Sequence, residues 1–214
     1  MSGLLMVYDT ETSDKGHWDA KYNDPRQPNL LQIGYKIYDP ASRIVVFEVG
    51  HLVDTTLFAE WSGINPDAQA IHGIREEALR TYGAPPKDTI ISFQSWAEKC
   101  SYFVAHNESF DHTIMQCFAY RAGFSPDLFS TGKAFCTMKS TVSFCKIPSK
   151  NGIGFKWPKL SEAYGAIVDQ RGFKHSHDAL SDVNACAEIF WKLIDAELLI
   201  FRDGEIVAKN IQPQ

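Results

Sequence analysis

Cysteine is scarce and unpatterned in this chain. The five in 214 residues (Cys100, Cys117, Cys136, Cys145 and Cys186) are odd in number and include no Cys-x-x-Cys pair. That argues against a disulfide frame and a cysteine zinc site, and it reads as reduced, mostly buried thiols in a cytoplasmic setting. No apolar run approaches the roughly 18 residues of a membrane span, so no membrane association is expected. The first residues lack the basic start and small-residue cleavage site of a signal peptide. Internal repeats and low-complexity tracts are also missing. What remains is a chain with 44% hydrophobic and 13% aromatic residues, enough for a full core. Its length suits one domain, or one with small additions.

An excess of positive charge is lacking too, since the formal net charge is −5. The distribution changes that picture. Lys133–Lys174 carries eight basic residues opposed only by Glu162 and Asp169, a formal +6 that leaves −11 for the rest. A basic segment of this kind suggests a path for an anionic strand, beside the plainer reading of a solvated lysine-rich surface.

Hydrophobic patterning gives alternating strands and helices. Leu4–Asp9 reads as a buried strand, and a polar loop bearing aromatic residues follows to Asn29. Two antiparallel strands are expected over Leu31–Tyr38 and Arg43–Val53, joined by the turn sequence Asp39-Pro40-Ala41-Ser42. Helices are expected over Pro66–Ile71, Arg75–Thr81, Asp88–Lys99, Ser109–Ala122, Met138–Cys145, Leu160–Tyr164 and Asp178–Asp195. Short strands fit Tyr102–Ala105 and Ala134–Cys136, Pro148–Trp157 reads as a mobile loop, and Asp203-Gly204 marks a closing hairpin. The simplest assembly is one α/β domain with a mixed central sheet flanked by helices.

Three stretches far apart in the chain supply four carboxylates and a histidine: Asp9-Thr10-Glu11, Asn107–Asp111 and His177–Asp182. In a strand, residues two apart face one side, so Asp9 and Glu11 project together. Carboxylates gathered in one pocket repel unless a cation sits among them, and hard divalent ions prefer oxygen ligands. This pattern points to a metal-dependent hydrolase of phosphate esters.

Asp9-Thr10-Glu11-Thr12 resembles the first motif of the DEDD exonucleases, the superfamily of DnaQ-like and RNase T-like enzymes. Val104 through Asp111 resembles the second. His177-Asp178-Ala179-Leu180-Ser181-Asp182 resembles the third in its DEDDh form, a histidine five residues before the last aspartate. Ile64-Asn65-Pro66, Ile71-His72-Gly73-Ile74 and Gln32-Ile33-Gly34 are similar to further family stretches, so the likeness covers residues 4–197. It implies a ribonuclease H-like domain over 1–197, a C-terminal extension over 198–214, and 3′→5′ removal of nucleoside monophosphates from single-stranded ends. Two divalent ions, Mg2+ or Mn2+, are implied: Asp9 would bridge both, with Glu11 and Asp182 on one and Asp111 acting through an intervening water. His177 would be the general base. Thr10 and Thr12 of the first motif, with Phe110, Lys150 and Lys156, are the expected substrate contacts. Phe110 could equally be core, Asn107 and Asp178 read as structural, and His72, His106, His112 and His175 as surface or satisfied histidines. Glycines 152 and 154 would let Lys150 and Lys156 move onto substrate.

The chain departs from the family pattern after the first motif, where Ser13-Asp14 opens a loop carrying Lys15, Trp18, Lys21, Tyr22 and Arg26. That mixture suits stacking and phosphate contact, lid closure or a partner. DNA is the favoured substrate. The rival readings are an RNA-trimming exoribonuclease or oligoribonuclease, and a catalytically silent nucleic-acid adaptor on the same fold. A polymerase or replication partner, if any, would dock on a surface, although a stand-alone exonuclease fits the length best.

Overall fold

The apolar run near the start of the chain forms the middle strand of the sheet. The computed structural model describes residues 3–129, 132–174, 176–202 and 205–208. Strand β1 (Leu4–Thr12) pairs antiparallel with β2 (Leu30–Tyr38), and β2 antiparallel with β3 (Val45–Leu52). On its other edge β1 runs parallel to β4 (Cys100–Ala105), which runs parallel to β5 (Lys133–Cys136). The order is β3-β2-β1-β4-β5. Three helices lie between β3 and β4: α1 (Pro66–His72), α2 (Glu76–Tyr82) and α3 (Pro86–Ala97). Helix α4 (Glu108–Arg121) follows β4. After β5 come α5 (Thr137–Ser140), α6 (Val142–Cys145), α7 (Leu160–Ile167) and α8 (Ala179–Asp195).

Both faces of β1 are covered, which is why its sequence is continuously apolar rather than alternating. Met6 and Tyr8 enter one core with Ile33, Tyr35, Phe93 and Phe118, beneath α3 and α4. Leu5 and Val7 enter the other with Val183, Cys186, Ile189 and Phe190 of α8. The strand's parity therefore sorts its later residues: Asp9 and Glu11 belong to the α8 face and Thr10 to the α4 face.

The mixed sheet flanked by helices is the expected fold class, and the element order matches. Two boundaries differ for physical reasons. β1 continues to Thr12 because its ladder to β2 persists through Glu11↔Gln32, so Glu11 lies within the strand together with Asp9 rather than beyond its end. The single helix expected over Met138–Cys145 is split into α5 and α6 at Thr141, whose hydroxyl donates to the Thr137 carbonyl at 2.8 Å. Such back-bonding competes with helix continuation. At the chain's end β6 (Leu199–Arg202) and β7 (Glu205–Ala208) form an antiparallel ribbon, with Leu199 buried in the α8-side core. The expected turn Asp203-Gly204 and the tail from Lys209 lie outside the described residues.

One close approach fixes α8 against the sheet. A Cβ at Gly34 of β2 would lie 2.6 Å from the Ala179 carbonyl carbon, so only a bare backbone lets the helix start touch the strand. Gly50 of β3 makes similar room, because a Cβ there would meet the Leu180 Cβ at 2.7 Å. Gly34→Ala should lower stability by about 1–3 kcal/mol, because the atoms it meets are backbone. Gly165→Ala in α7 meets no atom within 4 Å, and it should be neutral or stabilising by up to about 1 kcal/mol. Urea midpoints of the two variants check this, and equal midpoints would refute the close packing.

Candidate active site

The second motif is set by one backbone conformation. At the end of β4 the chain reverses into α4 through Asn107, whose φ of 75° and ψ of 45° are left-handed. Asparagine tolerates this region better than other residues with a Cβ. Its side chain makes no capping bond and lines the cleft instead. Asp111, one turn into α4, is buried, and its Oδ1 accepts from the Thr10 N–H at 3.0 Å and the Thr10 hydroxyl at 2.7 Å. The expected substrate contact Thr10 is thus occupied in fixing Asp111. The hydroxyl of Thr12 likewise donates to the Asp14 carbonyl at 2.7 Å.

The third motif is built by the docking of α8. Asp178 is the N-cap, as its structural reading expects, accepting from Ser181 N–H at 3.1 Å. Gln32 of β2 clamps the same turn. Its amide donates to Asp178 Oδ2 at 2.9 Å, and its Oε1 accepts from the Ala179 N–H at 3.1 Å. His177 precedes the helix with a φ of 68°, and its N–H points at both oxygens of Asp182, at 3.3 and 3.2 Å. The left-handed turn brings the imidazole back over the acids although five residues separate it from Asp182. One ligand atom each from Glu11, His177 and Asp182 lies within 4.8 Å of the other two.

Electrostatics describe a site short of positive charge. Burial, then Asp111, Asp182 and Glu11, raise the Asp9 pKa well above the carboxylate range. Burial, then Asp182, Asp111 and Asp178, push Glu11 up to about 8. Asp182 is raised by burial and by Asp178, against the His177 N–H that lowers it. Asp111 is also raised by burial, with the Thr10 hydrogen bonds opposing. Four oxygen-bearing groups whose negative forms are disfavoured by one another are a donor set suited to hard divalent ions. His177, at the exposed mouth, has its pKa lowered by partial burial and then by the charge of Lys159.

A cleft of about 410 Å³ opens beside the acids, lined by Thr10, Glu11, Thr12, Trp18, Asn107 and Phe110 among others. Phe110 is half-buried and packs 6.0 Å from Trp18, which is 69% exposed. The Ser13–Asn29 loop is tied to α4: the Arg121 guanidinium donates to the Pro28 and Gln27 carbonyls at 2.9 and 2.8 Å. Arg26 pairs with Asp24 at 2.8 Å. Lys156, an expected substrate contact, is held bidentate by Glu162 at 2.7 and 2.8 Å, while Lys150 is exposed. His106 is satisfied between Thr137 Oγ1 and the Pro158 carbonyl, both at 3.0 Å, and His112 stacks on Phe129. His175 lies outside the described residues.

Sequence alone reads His72 as a surface or satisfied histidine, and its geometry argues otherwise. Its Nδ1 accepts from the Ile74 N–H at 3.0 Å, so in the neutral ring the proton sits on Nε2. That Nε2 is buried without a hydrogen-bond partner, and His72 lines the same cleft. Burial lowers its pKa, and the nearby Thr12 carbonyl, not at bonding geometry, raises it. The signal available in the sequence was its place in the family-like stretch Ile71-His72-Gly73-Ile74.

The raised carboxylate pKa values carry a sign. A folded state that binds protons more tightly than the unfolded chain loses stability as pH rises from the unfolded value, near 4, through the folded ones. Chelator-treated protein should therefore melt at lower temperature at pH 8 than at pH 5.5. Mg2+ or Mn2+ should restore the melting temperature at pH 8, and Asp182→Asn should shrink both effects. A melting temperature insensitive to pH and metal would contradict a shared, repulsive acid cluster.

The family model described as Exonuclease (RNase_T) matches residues 7–190. No curated protein matches the chain. Among solved structures, E. coli Exonuclease I in complex with a dT13 oligonucleotide aligns with a TM-score of 0.70 and 16% identity, over 91% of this chain and 41% of that one. The zinc ion bound form of the E. coli ExoI–ssDNA complex aligns with a TM-score of 0.68 and 17% identity, over 92% and 41%. The apo Exonuclease I structure gives 0.68 and 14%, over 91% and 42%. This chain thus spans under half the length of those proteins, and the likeness is one of ribonuclease H-like fold. With the third motif's His177 and Asp182 brought to Glu11 of the first, and the family model matching from β1 into α8, the chain belongs to the RNase_T exonuclease family.

Proposed function

We propose that the protein is a metal-dependent 3′→5′ exonuclease that releases nucleoside monophosphates from single-stranded DNA ends. The observation that carries this reading is the clustering of Glu11, His177 and Asp182 within 4.8 Å, with Asp9 and Asp111 in the same electrostatic group and Glu11 on the cleft. The Exonuclease I structures with dT13 and dA16 oligonucleotides support a single strand as the substrate of a nuclease on this fold.

Asp9, Glu11 and Asp182 would hold the divalent ions, with Asp111 behind them. When bound, such ions supply charge that polarises the phosphodiester and stabilises the departing 3′ oxygen. The chain's own residues do the rest. Phe110 and Trp18 wall the cleft and present ring faces to the terminal base. His72 lines the cleft beside Thr12 and helps shape its wall. His177 takes the proton of the attacking water at a ring nitrogen. It is suited to this because burial and the nearby Lys159 ammonium keep the imidazole neutral to lower pH.

Purified protein incubated with 3′- or 5′-end-labelled dT and rU oligomers, with Mg2+, Mn2+ or chelator, tests direction, substrate and metal together. Products shortened from the 5′ end, or cleavage in chelator, would overturn the proposal. Asp9→Ala should abolish turnover, and activity within about tenfold of wild type would remove the two-ion role. His177→Ala should slow cleavage by about 10²–10⁴-fold with metal binding kept. Lys159→Gln removes a charge that lowers the His177 pKa, so the acidic limb of kcat should move to higher pH. A limb that stays in place would show that another group sets it.

A further inference from the structure

The segment Pro148–Trp157, read from its glycines as a loop, is a hydrogen-bonded hairpin. Pro148 and Phe155 form an antiparallel bridge, and the Lys156 N–H donates to the Ile147 carbonyl at 2.9 Å. The Ser149 N–H donates to the Gly154 carbonyl at 3.1 Å, and its hydroxyl to the Ile153 carbonyl at 2.6 Å. Gly152 and Gly154, at φ of 72° and 69°, supply the left-handed residues that the turn needs.

An ordered hairpin normally turns its apolar side chains inward, and this one does not. Ile153, Phe155 and Trp157 are 80%, 48% and 63% exposed. Lys156, between the two aromatics, turns to Glu162 of α7, which leaves Phe155 and Trp157 for the outer side. Unpaired cations accompany them: Lys146, Lys150 and Lys159 are exposed and form no ion pair among the described residues.

The hairpin's base is anchored beside the candidate active site through His106, and Lys159 next to it lies near His177. The Pro158 carbonyl lies 3.0 Å from His106 Nε2, next to Asn107 in the cleft wall. Lys159 is close enough to His177 for its charge to lower that pKa. A ledge of aromatic and basic side chains thus begins at the mouth of the cleft and leads away from it. Ring faces interleaved with lysines match the bases and phosphates of one strand. A protein partner would require the cations to face acidic groups, and it would not account for a ledge that starts at His177.

We propose that the hairpin 147–157 is the rail for the nucleotides on the 5′ side of the scissile bond, with Phe155 and Trp157 stacking on bases and Lys150 and Lys159 pairing with phosphates. This rests on the nuclease reading and adds to it a second binding surface, which only strands longer than the cleft can reach. The test is binding of dT3 and dT12 to Asp182→Asn protein, with and without Phe155→Ala and Trp157→Ala. Affinity for dT12 should fall about tenfold or more, that for dT3 less than about threefold, and Trp157→Phe should keep the dT12 affinity. Lys150→Gln should flatten the salt dependence for dT12 more than for dT3. Equal losses for both lengths, or none, overturn the rail while leaving the nuclease reading intact. If Asp182→Asn protein binds neither oligomer and wild-type enzyme cuts neither, the nuclease reading falls as well. A double variant that binds dT3 is folded at the site, so its dT12 affinity remains interpretable.

Discussion

The candidate active site depends on how closely the start of α8 is pressed against β2. The helix carries Asp182 and, just ahead of it, His177, while β1 carries Asp9 and Glu11 on the same face of the sheet. These meet only because Gly34 has no side chain between the strand and the Ala179 backbone, and because Gln32 satisfies both Asp178 and the Ala179 N–H. A helix start seated on bare backbone cannot slide without losing those two hydrogen bonds. The rigidity of the acid cluster is thus borrowed from a packing contact one strand away.

That rigidity has an electrostatic cost. Four carboxylates are held together largely out of water, all raised in pKa first by burial, and Asp9 and Glu11 also by the acids around them. A fold without functional demand would relieve such a cluster by substitution or by pairing with Arg or Lys. Here Lys159, exposed at the rim, faces His177 instead of the acids, and Lys156 is bound to Glu162. Asp111 is compensated by Thr10, through two hydrogen bonds that fix its orientation. The arrangement leaves negative charge where divalent ions would bind and positive charge at the rim, where an anionic strand would approach.

Around this centre the two sides of the cleft are built differently. One side belongs to the first loop, pinned by Arg121 to the carbonyls of Gln27 and Pro28, with Trp18 against Phe110. Beside Asn107 of the opposite wall, His106 ties in Pro158 at the base of the 147–157 hairpin. Both carry exposed aromatic rings, and both are themselves held by hydrogen bonds. Ring positions fixed before binding reduce the ordering cost of gripping a flexible strand.

The sequence by itself determined the order and type of nearly every element, because hydrophobic period and turn residues act locally. It also located the acids and His177, because their spacing survives as a linear pattern, and it read Asp178 as an N-terminal helix acid. Other features could be decided only by the tertiary structure. The orphan Nε2 of His72 depends on a bond from Ile74 and on burial under the cleft wall. The engagement of Lys156 depends on α7 presenting Glu162, and the occupation of the Thr10 hydroxyl on α4 presenting Asp111. The role of Gly34 depends on a helix that begins far along the chain, at Ala179. Each is a contact between groups distant in sequence, and linear patterning carries no information about which partner a donor, a cation or a bare backbone will meet once the sheet and helices have packed.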